Sequence, residues 1–448
     1  MRKPDAVAGL RLGRTAVCAY RPAAMTLDPR SPWFPTIARC VAVIGALTVR
    51  IDAADAQDRP TPSLTASARE TVDLWDVAAG GVQRGRVVLS KLQLSATALG
   101  DLVGDRGGAV HVQLFRTDGG SLSGRVGDIQ TVSNIEAPSV TRLFEAWAEQ
   151  HLGQGDTVAI RAGLMDLNSD FDPLETAALF VNSSHGIGPD IAKSGRNGPS
   201  IFPVSALGVR GEWQASRRVT VRAAVFDGVP GDPDHPRAFA AARLRGSDGA
   251  LLIGQADYRL KGDVKLELGG WHYTSRTAGD TVGEPLTRDS GGYASLEGPL
   301  SARWSAWIRA GLASPHAQAV SRYLGGGAIL KGLLRSRGED QAGLSVAHAV
   351  IAPDIRRLQL LPGAETTVEA TYQARFGRFV AVQPDAQWVH RPAGVAGARD
   401  ALVLGLRLVL IAGYPDDSPS PSSADPTVSP EGPQPVTHEG ATPHTKPR

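Results

Sequence analysis

The sequence predicts an all-β chain folded as a transmembrane antiparallel β-barrel of about sixteen strands. Three observations lead there. Segments of about ten residues alternate apolar with polar positions, which is the length and period of a strand crossing a bilayer at a tilt. The polar positions carry charges in mid-strand, where a soluble sandwich has shorter strands with one solvated face. Connections between segments alternate between tight and long.

Taken in order, Val110, Val112 and Leu114 alternate with His111 and Gln113, after a strand-like stretch at 86–99. Phe144, Ala146 and Ala148 oppose Glu145, Trp147 and Glu149, and Val158, Ile160, Ala162 and Leu164 alternate with Arg161. Leu207, Val209, Gly211 and Trp213 oppose Gly208, Arg210, Glu212 and Gln214; Val219, Val221, Ala223 and Val225 oppose Thr220 and Arg222. Val264, Leu266 and Leu268 face away from Lys265, Glu267 and Trp271. Val368, Ala370, Tyr372 and Ala374 oppose Glu369, Thr371, Gln373 and Arg375, and five leucines from Leu402 to Leu410 share one face opposite Arg407. Backbone groups in lipid must all be paired, so such strands close on themselves. An even count is expected, and the pattern also allows about fourteen or about eighteen. Tight connections at 153–155, 215–217, 261–262 and 298–300 are expected on the periplasmic side. Long ones at 118–140, 167–202, 227–247, 275–290 and 314–321 are expected outside.

Composition agrees with this and excludes other classes. The 448 residues carry 21% charged side chains and a net charge of +2, without the basic footprint of a nucleic-acid binder. No apolar run reaches the roughly eighteen residues of a spanning helix. Residues 1–56 read as a targeting segment. Arg39 precedes an apolar run from Cys40 to Val49, Ala54-Asp55-Ala56 supplies a cleavage site after Ala56, and Met25 is the favoured start. A short buried helix is the alternative reading of that run. Cleavage there removes Cys18 and Cys40, leaving a chain with neither disulfides nor thiolate metal sites. Residues 57–70 read as a polar leader, 71–414 as the barrel, and 415–448 as a disordered Pro-rich tail with few large apolar residues.

The stretch 161–203, RAGLMDLNSDFDPLETAALFVNSSHGIGPDIAKSGRNGPSIFP, interrupts the alternation for longer than a structureless connection does. Its aromatic and apolar residues and its turns at Gly188-Pro189 and Asn197-Gly198-Pro199 predict a folded insert. NSDFD, NSSHGIGPD and NGPSIFPVSALGVR within and after it resemble the signature region of the carbohydrate-selective porin family OprB. RLFEAWAEQHLG before it, RAAVFDGVPGDPDHPR after it, and SRYLGGGAILKGL, ETTVEATYQARFGRFVAVQPDAQWVHRPAG and DALVLGLRLVL continue the resemblance from Trp75 to Leu410. It implies a sixteen-stranded channel for sugars such as glucose in the outer membrane of a Gram-negative bacterium, often a trimer. It also implies that the insert is a constriction loop folded into the lumen. The chain departs from the usual pattern in continuing past Tyr414, where outer-membrane barrels commonly end on an aromatic, and its 6% aromatic content is low for two girdles.

A constriction passing sugars needs many hydrogen-bond partners and an aromatic face on which a ring can stack. Alternation directs Glu145, Trp147, Glu149, Arg161, Arg210 and Arg222 to the lumen, with Lys91 and Gln93 on the second strand. Asp190, Lys193 and Arg196 are the candidates within the insert. Charge ladders that only solvate the wall are the structural alternative for each. No cofactor and no metal are expected. Asp166, Asn168, Asp170 and Asp172 mimic the start of a calcium loop, but Phe171 and Ala177 stand where Gly and Glu are needed. HExxH, P-loop and G-x-S-x-G motifs are absent, so an enzyme is not predicted. Competing readings are a general or anion-preferring pore, favoured by Arg161, Arg196, Arg210 and Arg222, and a structural envelope barrel that uses the tail. Expected partners are sugars as permeants, outer-membrane lipids and further copies of the chain.

Overall fold

The computed structural model describes residues 63–100, 107–240, 242–277 and 287–414. The expected targeting segment, residues 57–62 of the leader and the tail 415–448 lie outside the described residues. Sixteen antiparallel strands close into one barrel, each paired with its sequence neighbours and the first with the last. They are β1 Ser63–Gly81, β2 Gly85–Gly100, β3 Gly108–Gly119, β4 Val140–Leu152, β5 Val158–Met165, β6 Ala206–Ser216, β7 Val219–Asp227 and β8 Ala250–Arg259. The circuit continues with β9 Lys265–Thr277, β10 Thr287–Pro299, β11 Trp304–Ala313, β12 Val320–Lys331, β13 Gln341–Ile351, β14 Ala364–Phe376, β15 Val380–His390 and β16 Arg399–Tyr414.

Closure explains why a chain with so many mid-strand charges is stable in lipid. Every strand has two neighbours, so no ladder edge is left unpaired. The outward positions are apolar and exposed, among them Leu94, Val112, Ile160, Val209, Leu268, Ile308, Leu324, Leu344 and Leu404. Connections at 153–157, 217–218, 260–264, 300–303 and 377–379 lie at the end of the barrel that also holds both strand termini. Those at 120–139, 166–205 and 228–249 lie at the other end, so the longest connections gather on the side expected to be extracellular; the tight turn at 82–84 shares that side, and 332–340 lies with the short connections.

Two expectations need correction. The wall begins at Ser63, so 63–70 belongs to β1 and not to a polar leader; Leu64 pairs with Ala98, and the Ser67 and Ser95 hydroxyls meet at 2.7 Å. The outward positions there include Ala66 and Ala68, whose small side chains give a weak alternation signal. Phe144 does not face lipid. The β3–β4 register shifts between Gln113 and Leu114, and this bulge turns Phe144 inward against Phe115 and Phe202, with centroids at 5.4 and 6.3 Å.

Much of the lumen is filled. Residues 120–139 and 166–205 fold inward and carry apolar side chains against the wall. Leu122, Val126 and Val132 pack on Trp75, Leu89 and Val403; Met165, Leu167, Phe171 and Ile191 pack on Trp147, Phe226 and Tyr273. Leu174, Leu179 and Phe180 meet Trp307 and Ile329 on the far side. The insert therefore spans the barrel from β4 to β11 and beyond.

Candidate functional site: the lumen constriction

The insert has no ladder of its own, so its backbone amides need other acceptors. Short turns satisfy some: Asp166 accepts from the Asn168 amide at 3.1 Å, and Asn182 accepts from the Ser184 amide at 3.0 Å. Wall side chains satisfy others. Glu297 of β10 accepts from the amides of Glu175 and Thr176 at 3.2 and 2.6 Å. Glu369 of β14 accepts from Val181 and Asn182 at 2.6 and 3.0 Å, and Gln255 of β8 accepts from Asp172 at 2.8 Å. Carboxylates suit this work because charge-assisted bonds are roughly twice as strong as neutral ones.

The strongest fastening is a clasp on β11. Arg309, fully buried, sends Nε to both oxygens of Asp172 at 2.9 and 3.0 Å, and its two terminal nitrogens to Asp190 at 2.5 and 3.1 Å. Both aspartates belong to the insert. Burial pushes the Asp172 carboxyl up, and the guanidinium opposes that shift. Two glycines make room: a Cβ at Gly188 would overlap the Arg309 guanidinium, and one at Gly311 would overlap the Asp190 carboxylate.

On the opposite wall a charge ladder runs from β4 to β8. Glu149 Oε2 receives Arg161 at 2.9 Å and Arg210 at 3.1 Å, and Asp170 of the insert receives the same two arginines at 3.0 and 2.9 Å. Nearer the periplasmic end, Arg222 joins Glu212 at 2.6 Å to Asp257 at 2.5 Å. Register explains the assembly, since Glu149 pairs with Arg161, Arg161 with Arg210, and Glu212 with Arg222 on the inward face.

The structure thus joins Glu149, Arg161, Arg210 and Arg222 in charge ladders on one wall and leaves the other expected residues out of them. Glu145 and Trp147 lie beneath the insert. Trp147 is only 3% exposed, stacked on His111 at 5.0 Å and covered by the Arg161 guanidinium at 4.0 Å. Glu145 accepts from the Trp147 indole at 3.2 Å and from the Asp166 amide at 3.3 Å. Asp190 is held in the Arg309 clasp. Lys193 and Arg196 are exposed on the outer side of the insert, with Arg196 at 3.5 Å from Asp248. Lys91 lies 4.3 Å over the Phe202 ring, and Gln93 donates to Gln113 at 3.1 Å. Asp166, Asp170 and Asp172, the calcium-loop mimics, are occupied by a turn cap and by arginines. Arg309, Glu297 and Gln255 are the residues the sequence reading missed; inward parity was the signal that marks them.

His185 of the insert is also enclosed. Its Nε2 lies 2.8 Å from Ser345 Oγ and 3.6 Å from Glu369 Oε2, and burial pushes the imidazole down to about 3. With a depressed folded value, stability falls as pH drops below the free value of 6.5 and goes on falling toward about 3. The expected result is faster amide exchange at 181–186 at pH 4 than at pH 7, after correction for intrinsic rates. His185→Gln should flatten that difference; an unchanged pH dependence in the variant would assign the effect to other groups.

A profile of the carbohydrate-selective porin family OprB matches residues 88–410 of this barrel. The chain belongs to that family. As a member, this porin is an outer-membrane channel for passive, carbohydrate-selective diffusion. Its fold is similar to the high-pH structure of Pseudomonas putida OprB, with a TM-score of 0.67 at 18% identity over 78% of this chain and 94% of that one. It also resembles the outer-membrane channel DcaP of Acinetobacter baumannii, with a TM-score of 0.54 at 9% identity over 80% and 100% of the two chains. A comparison with curated proteins found no matching relative. The family and fold are those of channels.

Proposed function

We propose that the porin selects uncharged sugars through a lumen wall whose charges are mutually paired. The observation that carries this is the ladder itself: Arg161, Arg210 and Arg222 are each shared between carboxylates. A paired wall offers donors and acceptors to hydroxyl groups while presenting little net charge to ions, which argues against an anion-preferring pore. Lys193 and Arg196 meet the solute on the outer side. Glu149, Glu212, Arg222 and Asp257, all partly open, exchange hydrogen bonds with it below the insert. Trp147 supports the Arg161 guanidinium from behind. The chain works as a trimer in the outer membrane of a Gram-negative bacterium.

Single-channel recording in planar bilayers with glucose titrated in tests this reading. Conductance should fall saturably with glucose. Arg222→Gln should weaken that block roughly tenfold, the loss of one or two charge-assisted bonds, and shift selectivity toward cations by exposing Glu212 and Asp257. Open conductance indifferent to glucose would sink the proposal.

A further inference from the structure

Lys91 departs from the pairing described above. It stands on the inward face of β2, in register with Thr71 and Thr117, and is partly open. Its ammonium makes no hydrogen bond and no ion pair among the described residues. It lies instead over two rings, Phe202 at 4.3 Å and Phe115 at 6.0 Å. By contrast, Arg161, Arg210, Arg222, Lys265, Arg309 and Arg407 each meet a carboxylate directly.

The surroundings hold this ammonium in place without neutralising it. A ring face attracts a cation through its quadrupole and takes up none of the three N–H donors. Phe202 is itself held, tilted against Phe115 at 5.2 Å and near Phe144 at 6.3 Å. Arg142, in register with Phe115, adds positive charge to the same patch. It is buried, its terminal nitrogens donate to the Pro203 and Pro236 carbonyls at 2.9 and 2.6 Å, and no carboxylate meets it among the described residues. Glu145 already accepts from the Trp147 indole and the Asp166 amide. Burial pushes the Asp166 carboxyl of the insert up to about 7, against the Asn168 amide and the Lys91 ammonium. An acid so near neutrality repels an incoming anion less than a fully ionised one.

We propose, on the reading that sugars pass this lumen, that Lys91 is a carboxylate-recognition point through which the porin also takes sugar acids. The ligand's carboxylate takes the free ammonium donors. The carboxamide of Gln93, next on the same inward face and partly open, and the Ser169 hydroxyl serve the ligand's own hydroxyl groups. Simple anions gain the first contact and not the others. One ammonium among paired charges acts at contact, since screening limits its reach, so the pore as a whole keeps little ionic preference. Phe202 is a positioning residue that fixes where the ammonium stands.

The test is block of single-channel current in planar bilayers by glucuronate and by glucose, at one ionic strength. Glucuronate, which differs from glucose in carrying a carboxylate, should block about ten-fold more tightly, the gain from one charge-assisted contact. Lys91→Gln should abolish that preference, and Lys91→Arg should keep most of it. Phe202→Leu, which removes the ring under the ammonium, should lower the preference about three-fold. Glucose block in the same channels reports that each variant is folded and open. Glucose block with no preference for glucuronate in the wild type overturns the proposal and leaves the sugar channel standing. A preference that survives Lys91→Gln overturns it equally. Relief of glucuronate block by an equal concentration of acetate also overturns it, assigning a site for small anions instead. Absence of block by either sugar overturns both this proposal and the reading beneath it.

Discussion

Arg309→Met is expected to release the insert and raise single-channel conductance several-fold, while the barrel itself stays folded. Arg309 is the sole cation bonded to Asp172 and Asp190 among the described residues, and all three side chains are fully buried. Removing one partner of a buried pair costs about 3–5 kcal/mol, because the other charges stay desolvated without a counter-ion. The insert has a cheaper response than carrying that cost. It swings Asp172 and Asp190 into the water of the lumen. Such a change multiplies the population of the opened insert by about 150-fold to 5,000-fold. The strand ladders do not involve the Arg309 side chain, so heat-resistant migration of the barrel should persist. Glucose block should weaken as conductance rises, since both depend on the constriction. Arg309→Lys keeps the charge but loses the fork that serves two carboxylates at once, and should fall between. Unaltered conductance in Arg309→Met would show that the wall carboxylates and the apolar clusters hold the insert without the clasp.

The barrel was legible in the sequence because its rule is local. Each inward or outward assignment depends only on parity along one strand, and parity held from Val110 to Leu406 except at Phe144. A bulge is set by the partner strand, so alternation within β4 alone has no means of showing it. The first strand was read short for a different reason: lipid-facing alanines carry little apolar signal. The insert was legible as a folded segment, from Gly188-Pro189 and its aromatics, but its fastenings were not. Asp190 and Arg309 are 119 residues apart, and nothing in either stretch names the other. The same limit applies to Trp147. Parity directs it inward correctly, yet whether an inward side chain meets water or the underside of the insert depends on where that insert lies. The ladder of Glu149, Arg161 and Arg210 was half visible: the residues stand at matching parity on successive strands, but register had to bring them level.

The second large effect is expected at Glu369, and it tests whether the two inward connections move as one. Glu369 is fully buried and accepts two amides of the insert, from Val181 and Asn182. Glu369→Ala leaves both donors without this acceptor in a dry site, at about 1–3 kcal/mol each. The neighbouring fastenings are weaker replacements, since Gln387 bonds the Asn182 side chain at 3.1 Å and not the backbone. The loss should also spread. The Asn134 amide bonds the Val181 carbonyl at 2.9 Å, and the Ser183 amide bonds the Thr131 carbonyl at 3.0 Å. Residues 131–134 therefore rely on 181–183 for two of their contacts. Hydrogen exchange should accelerate by about ten-fold or more at 181–185 and, by a smaller factor, at 131–134. Combining Glu369→Ala with Arg309→Met should add less than the sum of the single effects. Fastenings that share no partner are ordinarily additive, but a segment already released by one change has no fastening left for the other to remove. Full additivity in conductance, with protection at 131–134 unchanged, would mean that the clasp and the Glu369 contact hold separate halves of the insert. The constriction would then open in two independent steps.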